Sequence, residues 1–118
     1  MEDAIIIRPL AYAKITNHIT STLTPLLKDE SMKIEMVRSG VVVNETSEVF
    51  TMVCNGQTIG SFMVDRNNFR VLQTHIYPVA FTEEFGVFHK KDYSIIFEYI
   101  KSFNGLCLEP YKKEDQYE

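Results

Sequence analysis

A chain of 118 residues, 45% hydrophobic and with a formal charge of −4, is the length of one domain and can bury a core without disulfide staples. Its longest apolar runs, residues 4–7 and 40–43, are far below the ~20 residues of a bilayer span. The acidic balance argues against a nucleic-acid groove, which needs a clustered positive field. The acidic Met-Glu-Asp start, with no apolar stretch and cleavage site after it, leads us to expect a cytoplasmic protein. Cys54 and Cys107 lack CxxC spacing and are expected as reduced thiols.

Residues 4–7 are a β-branched run that ends where Pro9 restricts Arg8, so a short first strand is expected there. Pro9 then suits the first turn of a helix. Within residues 10–27, Ala11, Ile15, Ile19, Leu23 and Leu27 recur every four positions, which buries one helix face. Pro25 should fray its last turn. In residues 32–37, Met32, Ile34 and Met36 alternate with Lys33 and Glu35 as a half-buried strand does. Residues 41–43 either continue that strand past a bulge at Gly40 or begin a new one.

Residues 49–54 and 57–65 flank Asn55-Gly56, the strongest short hairpin signal, because both central residues of a type I′ turn need positive φ. After a turn at residues 65–68, a strand at 69–77 follows, and such short connections impose an antiparallel meander. Residues 82–89 are a loop. Asp92 is placed to cap a helix over 93–103, striped by Ile96, Tyr99, Ile100 and Phe103 and stopped by Asn104-Gly105. Leu106 to Leu108 reads as a brief last strand, and residues 111–118 as a loose polar tail. The expected fold is α+β: an antiparallel or mixed sheet of four to six strands with an N-terminal and a C-terminal helix. Ile15, Ile19, Leu23, Ile96, Ile100 and Phe103 should share one core with the sheet.

Residues 71–92 hold most of the chemically versatile side chains. His75, Tyr77, His89 and Asp92 would converge if the loop folded back. Each also has a plainer reading. His75 shares a strand face with Phe69, Val71 and Tyr77 and reads as a core or interface histidine satisfied by a neighbour; His89 reads as exposed, Asp92 as a helix cap, and Glu35 as the wet face of its strand. The lysine pairs 90–91 and 112–113 read as solvated surface. Tyr77, Phe81, Phe85 and Phe88 either cover the sheet or, where exposed, mark a partner site; the room available to a small core implies that at least one of the three phenylalanines is exposed.

Several segments, in order, resemble JAB/MPN domains. The opening IIIRPLAYAKITNH matches at Leu10, Ala11, Lys14, Ile15 and His18; KIEMV is similar to the strand that carries the glutamate of active members, at Glu35; THIYP is similar to their His-x-His-Pro metal motif, with His75 in place and Tyr77 at the second histidine; HKKD is similar to Ser-x-x-Asp, with Asp92 in place and His89 at the serine; LCLEP resembles the closing strand. The hairpin at Asn55-Gly56 stands where that family carries a helix. The resemblance implies zinc isopeptidase chemistry for active members, two histidines and an aspartate holding the metal and the glutamate working the water. Tyrosine is a rare zinc ligand, so the resemblance implies a scaffold or dimerisation partner without cofactor. The expected function is a non-catalytic interaction domain, binding a protein partner or a second copy through Tyr77, Phe81, Phe85 and Phe88. The alternative is a zinc-dependent hydrolase with His75, His89 and Asp92 as ligands and Glu35 as base.

Overall fold

The computed structural model describes residues 2–38 and 47–107, with side chains from Tyr12 onward. A long helix, α1 (Glu2–Leu23), runs into a single 3-10 turn at Thr24–Leu26 that holds Pro25. Four strands follow, β1 (Ile34–Arg38), β2 (Ser47–Cys54), β3 (Gln57–Asp65) and β4 (Arg70–Ile76), and then α2 (Tyr93–Phe103). The strands form one antiparallel sheet in the order β1-β2-β3-β4. The architecture is α+β.

The sheet begins from the tight turn at its centre. Asn55 and Gly56 stand at φ 55° and 74°, the paired positive values of a type I′ turn, whose twist matches that of the strands it joins. From there β2 sends Phe50, Met52 and Cys54 inward, and β3 sends Ile59, Phe62 and Val64. Tyr12, Ile15, Ile19 and Leu23 of α1 meet them, as do Ile96, Ile100 and Phe103 of α2, in one contiguous core. Both helices therefore cover one face of the sheet. Glu35, Thr51, Ser61 and His75 project from the other.

Two expectations change. Residues 4–7 are helical, within α1, and are not a strand, so Pro9 lies inside the helix rather than in its first turn. Their β-branched propensity is a weak prior, well under 1 kcal/mol per residue, and a helix anchored by packing from Tyr12 onward gains one hydrogen bond for each further residue. The faces of β4 also differ from simple alternation. Val64 pairs with Val71 and Met63 with Gln73, so Leu72 is an extra residue in the ladder. That bulge shifts every later side chain to the opposite face: Thr74 is buried, and His75 is exposed rather than in the core. A second bulge leaves Ile59 extra between the pairs Met52–Gly60 and Val53–Thr58. Beyond α2, Cys107 makes an isolated bridge to Arg70. The expectations for residues 41–43, Leu108 and 111–118 fall outside the described residues.

Candidate functional site: an aromatic groove and a protruding phenylalanine

From β4 the chain turns through a 3-10 turn at Pro78–Phe81, and Phe81 is driven inward against Phe88, ring centroids 5.7 Å apart. Phe88 is fully buried and Phe81 is 8% exposed. The segment is tied to its surroundings by backbone bonds: the N–H groups of Val87 and Phe88 both donate to the Ala80 carbonyl, at 2.8 and 3.0 Å, and the Lys28 N–H donates to the Val87 carbonyl at 2.9 Å. Between these fixed points residues 82–86 make a closed turn. The Phe85 N–H donates to Thr82 Oγ1 at 3.2 Å, the Gly86 N–H to the Thr82 carbonyl at 2.9 Å, and the Gln57 amide to the Phe85 carbonyl at 3.2 Å. A Cβ at Gly86 would lie 2.2 Å from the Thr82 carbonyl oxygen; only glycine fits. The turn holds Phe85 outward, 62% exposed.

Next to it, α2 opens with Tyr93 and Phe97, one turn apart on its outward side and 49% and 44% exposed. Their rings stack at 5.2 Å, and Tyr93 meets Phe81 edge-on at 4.9 Å. Ile76, Pro78, Phe81, Tyr93 and the stem of Lys90 enclose an open groove of about 450 Å³. Among the described residues Lys90 is the one charged group in that lining, and Lys91, next in sequence, is exposed. Neither lysine is in an ion pair among the described residues.

The other sequence candidates are dispersed. Glu35 lies exposed on β1 and His75 exposed on β4, the two edges of the sheet, so three interstrand spacings, about 14 Å, separate their strands. His75 stands opposite Ser61, whose Oγ accepts a hydrogen bond from Tyr77 Oη at 3.0 Å. Tyr77 is half-buried. Asp92 occupies the cap position of α2, yet its side chain makes no capping bond; its N–H donates to the carbonyl of exposed His89 at 3.0 Å. Among the described residues, no three His, Cys, Asp or Glu side chains stand together in a way that could hold a metal ion. Of the four aromatics read as a contact surface, Phe85 alone is freely exposed. Burial makes Phe81 and Phe88 part of the core.

Sequence reasoning passed over Tyr93 and Phe97, although a signal was present: both lie outside the stripe of Ile96, Ile100 and Phe103 that the helix period assigns to the core. It also missed Glu48, a carboxylate in phase with Phe50, Met52 and Cys54 and buried with them.

The chain matches no family model, no curated protein and no solved structure. What it does is read from its own surface. Among the described residues no helix is long and apolar enough to cross a membrane.

Proposed function

We propose that this domain is a non-catalytic protein-interaction module whose contact surface is the aromatic groove at the start of α2 together with Phe85. One observation carries the reading: Phe81, Tyr93 and Phe97 form a continuous ring-to-ring series that emerges from the core into solvent beside a rigid turn displaying a fourth aromatic. Burying a phenylalanine is worth about 1.5–3 kcal/mol. A small domain that stiffens a turn and still leaves that side chain outside forgoes this within the monomer. Exposed aromatics on ordered elements are the usual chemistry of binding hot spots, because they contribute contact area at little entropic cost. The separation of Glu35 from His75 weighs against the zinc-hydrolase alternative, and the aromatic surface supports an interaction role independently of the JAB/MPN resemblance. A cytoplasmic setting accords with Cys54 and Cys107 both being reduced, and the net charge of −4 accords with a protein partner rather than nucleic acid.

A photoreactive benzophenone amino acid placed at Phe97 tests this in the native cell. It should give a discrete light-dependent adduct with one protein, and the same group at Lys101, one turn further along α2, should not. Equal adduct patterns from the two positions, or none from either, overturn the reading. Stoichiometric zinc in protein purified without a histidine tag, lost in His75→Ala, would instead restore the hydrolase alternative.

A further inference from the structure

We propose that the groove is filled by Phe85 of a second copy of this chain, in a two-fold dimer that exchanges the two phenylalanines. The inference rests on the interaction reading and names its partner. The two halves of the contact are both present on one molecule. One half is a knob: Phe85 at the tip of a hydrogen-bonded turn, preceded by exposed Glu83 and Glu84. The other is the apolar groove of about 450 Å³, with Lys90 in its lining. A phenyl ring preceded by two exposed carboxylates meets an apolar cleft that carries the Lys90 ammonium group, with exposed Lys91 next in sequence. Neither set of charges has an ion-pair partner within its own molecule among the described residues.

The knob of a given molecule cannot enter its own groove. Phe81, four residues before Phe85, already forms part of the groove lining, and the intervening turn is closed on Thr82 and tied to Gln57 on the other side. Phe85 instead overlooks a small niche with Met32, Asn55 and Gln57. Knob and groove nevertheless lie at the same end of the sheet, where β4 ends and the β2–β3 hairpin turns. That proximity is what a two-fold contact requires, since each copy must present both halves on one patch and the assembly then closes at two chains. The groove volume falls within the range of about 300–1,000 Å³ that encloses a compact apolar ligand, enough for one phenyl side chain and its neighbouring backbone. The turn is already ordered in the monomer, so little further ordering opposes association.

Sedimentation velocity on the full chain across a concentration series tests the proposal. The wild type should show a reversible monomer–dimer equilibrium, and Phe85→Ala should weaken it at least about tenfold without loss of helical signal. Charge reversal separates this contact from any other. Glu83→Lys with Glu84→Lys, and separately Lys90→Glu with Lys91→Glu, should each give monomers, whereas a 1:1 mixture of the two variants should form the mixed dimer, in which both knob–groove pairs are again complementary. A dimer that persists through all these substitutions uses another surface and overturns the proposal. So does a wild-type chain that remains monomeric throughout. If the benzophenone at Phe97 still captures one different protein from that monomer, the interaction reading stands with another occupant; if it captures nothing, both fall.

Discussion

At the scale of single residues, the most consequential side chain outside the groove is Glu48. It sits at the start of β2 on the core face, and it is ionised there because three groups converge on it: Arg38 Nε donates to one carboxylate oxygen, Tyr12 Oη donates to the other at 3.1 Å, and Arg66 Nε lies 3.6 Å away. The Arg38 hydrogen bond holds the Glu48 carboxyl below its ordinary pKa, while burial, and then the Glu48 charge, raises that of Tyr12. Because the folded pKa is depressed, the contribution is fully present above the unfolded value of about 4.3 and is lost as pH falls through the folded value. Glu48→Gln should therefore destabilise the domain by about 1.5–3 kcal/mol at pH 7. Urea unfolding of both proteins from pH 7 to pH 3 should show the gap closing on the acid side; a gap constant with pH would mean that charge is not what the carboxylate contributes. The phenylalanines supply a second contrast. Phe88→Ala should cost about 3–5 kcal/mol, whereas in dilute, monomeric protein Phe85→Ala should stay within about 0.5 kcal/mol of wild type. Thermal melts of the pair distinguish a core lid from a displayed side chain.

At the scale of elements, the two bulges decide which side chains the sheet presents. The bulge in β3 puts Ile59 and Gly60 both inward, and the backbone of β4 crosses Gly60 so closely that an added Cβ would stand 2.4 Å from the His75 carbonyl oxygen and 2.8 Å from the Met52 methyl. Gly60→Ala should cost about 1–3 kcal/mol, measurable by urea unfolding. The bulge at Leu72 turns Thr74 inward, where its hydroxyl has no hydrogen-bond partner among the described residues. Thr74→Val keeps the shape and removes that group, and it should stabilise the domain by about 1 kcal/mol; a destabilised variant would reveal a partner for the hydroxyl. For α2, Ile100→Ala should cost about 2–5 kcal/mol. A loss below measurement error would mean that the helix is peripheral.

At the scale of the whole molecule, both helices lie on one sheet face, and the connection from β4 to α2, with the outward side of α2, carries aromatics from the core (Phe81, Phe88) to the surface (Phe85, Tyr93, Phe97). An assembly at that surface links stability to concentration, since a dimer populated only by folded chains draws the equilibrium toward the fold. The melting temperature of the wild type should rise between low-micromolar and high-micromolar protein, and that of Phe85→Ala should not. Equal concentration dependence in the two would place the association elsewhere.

The sequence by itself determined the elements whose signals are local. Asn55-Gly56 set the central hairpin through its positive φ values, the 3.6-residue stripes of Ile15, Ile19 and Leu23 and of Ile96, Ile100 and Phe103 marked the buried helix faces, and Gly105, at φ 85°, ended α2 as a left-handed stop does. The crowding of three phenylalanines into residues 81–88 even announced that one of them would be exposed. Which one was decided by the turn on Thr82, a set of backbone bonds with no periodic trace in the sequence. The fate of residues 4–7 was also tertiary, because packing of the helix beyond them outweighs a β-branched preference of a fraction of a kilocalorie per residue. So was the conformation of Phe69, which stands at φ 54°, rare for a bulky side chain, while its ring is buried against Tyr12. His75 was misplaced for a related reason: alternation is a rule about unbroken ladders, and a single extra residue at Leu72, fixed only when β3 and β4 pair, reverses the face of everything that follows.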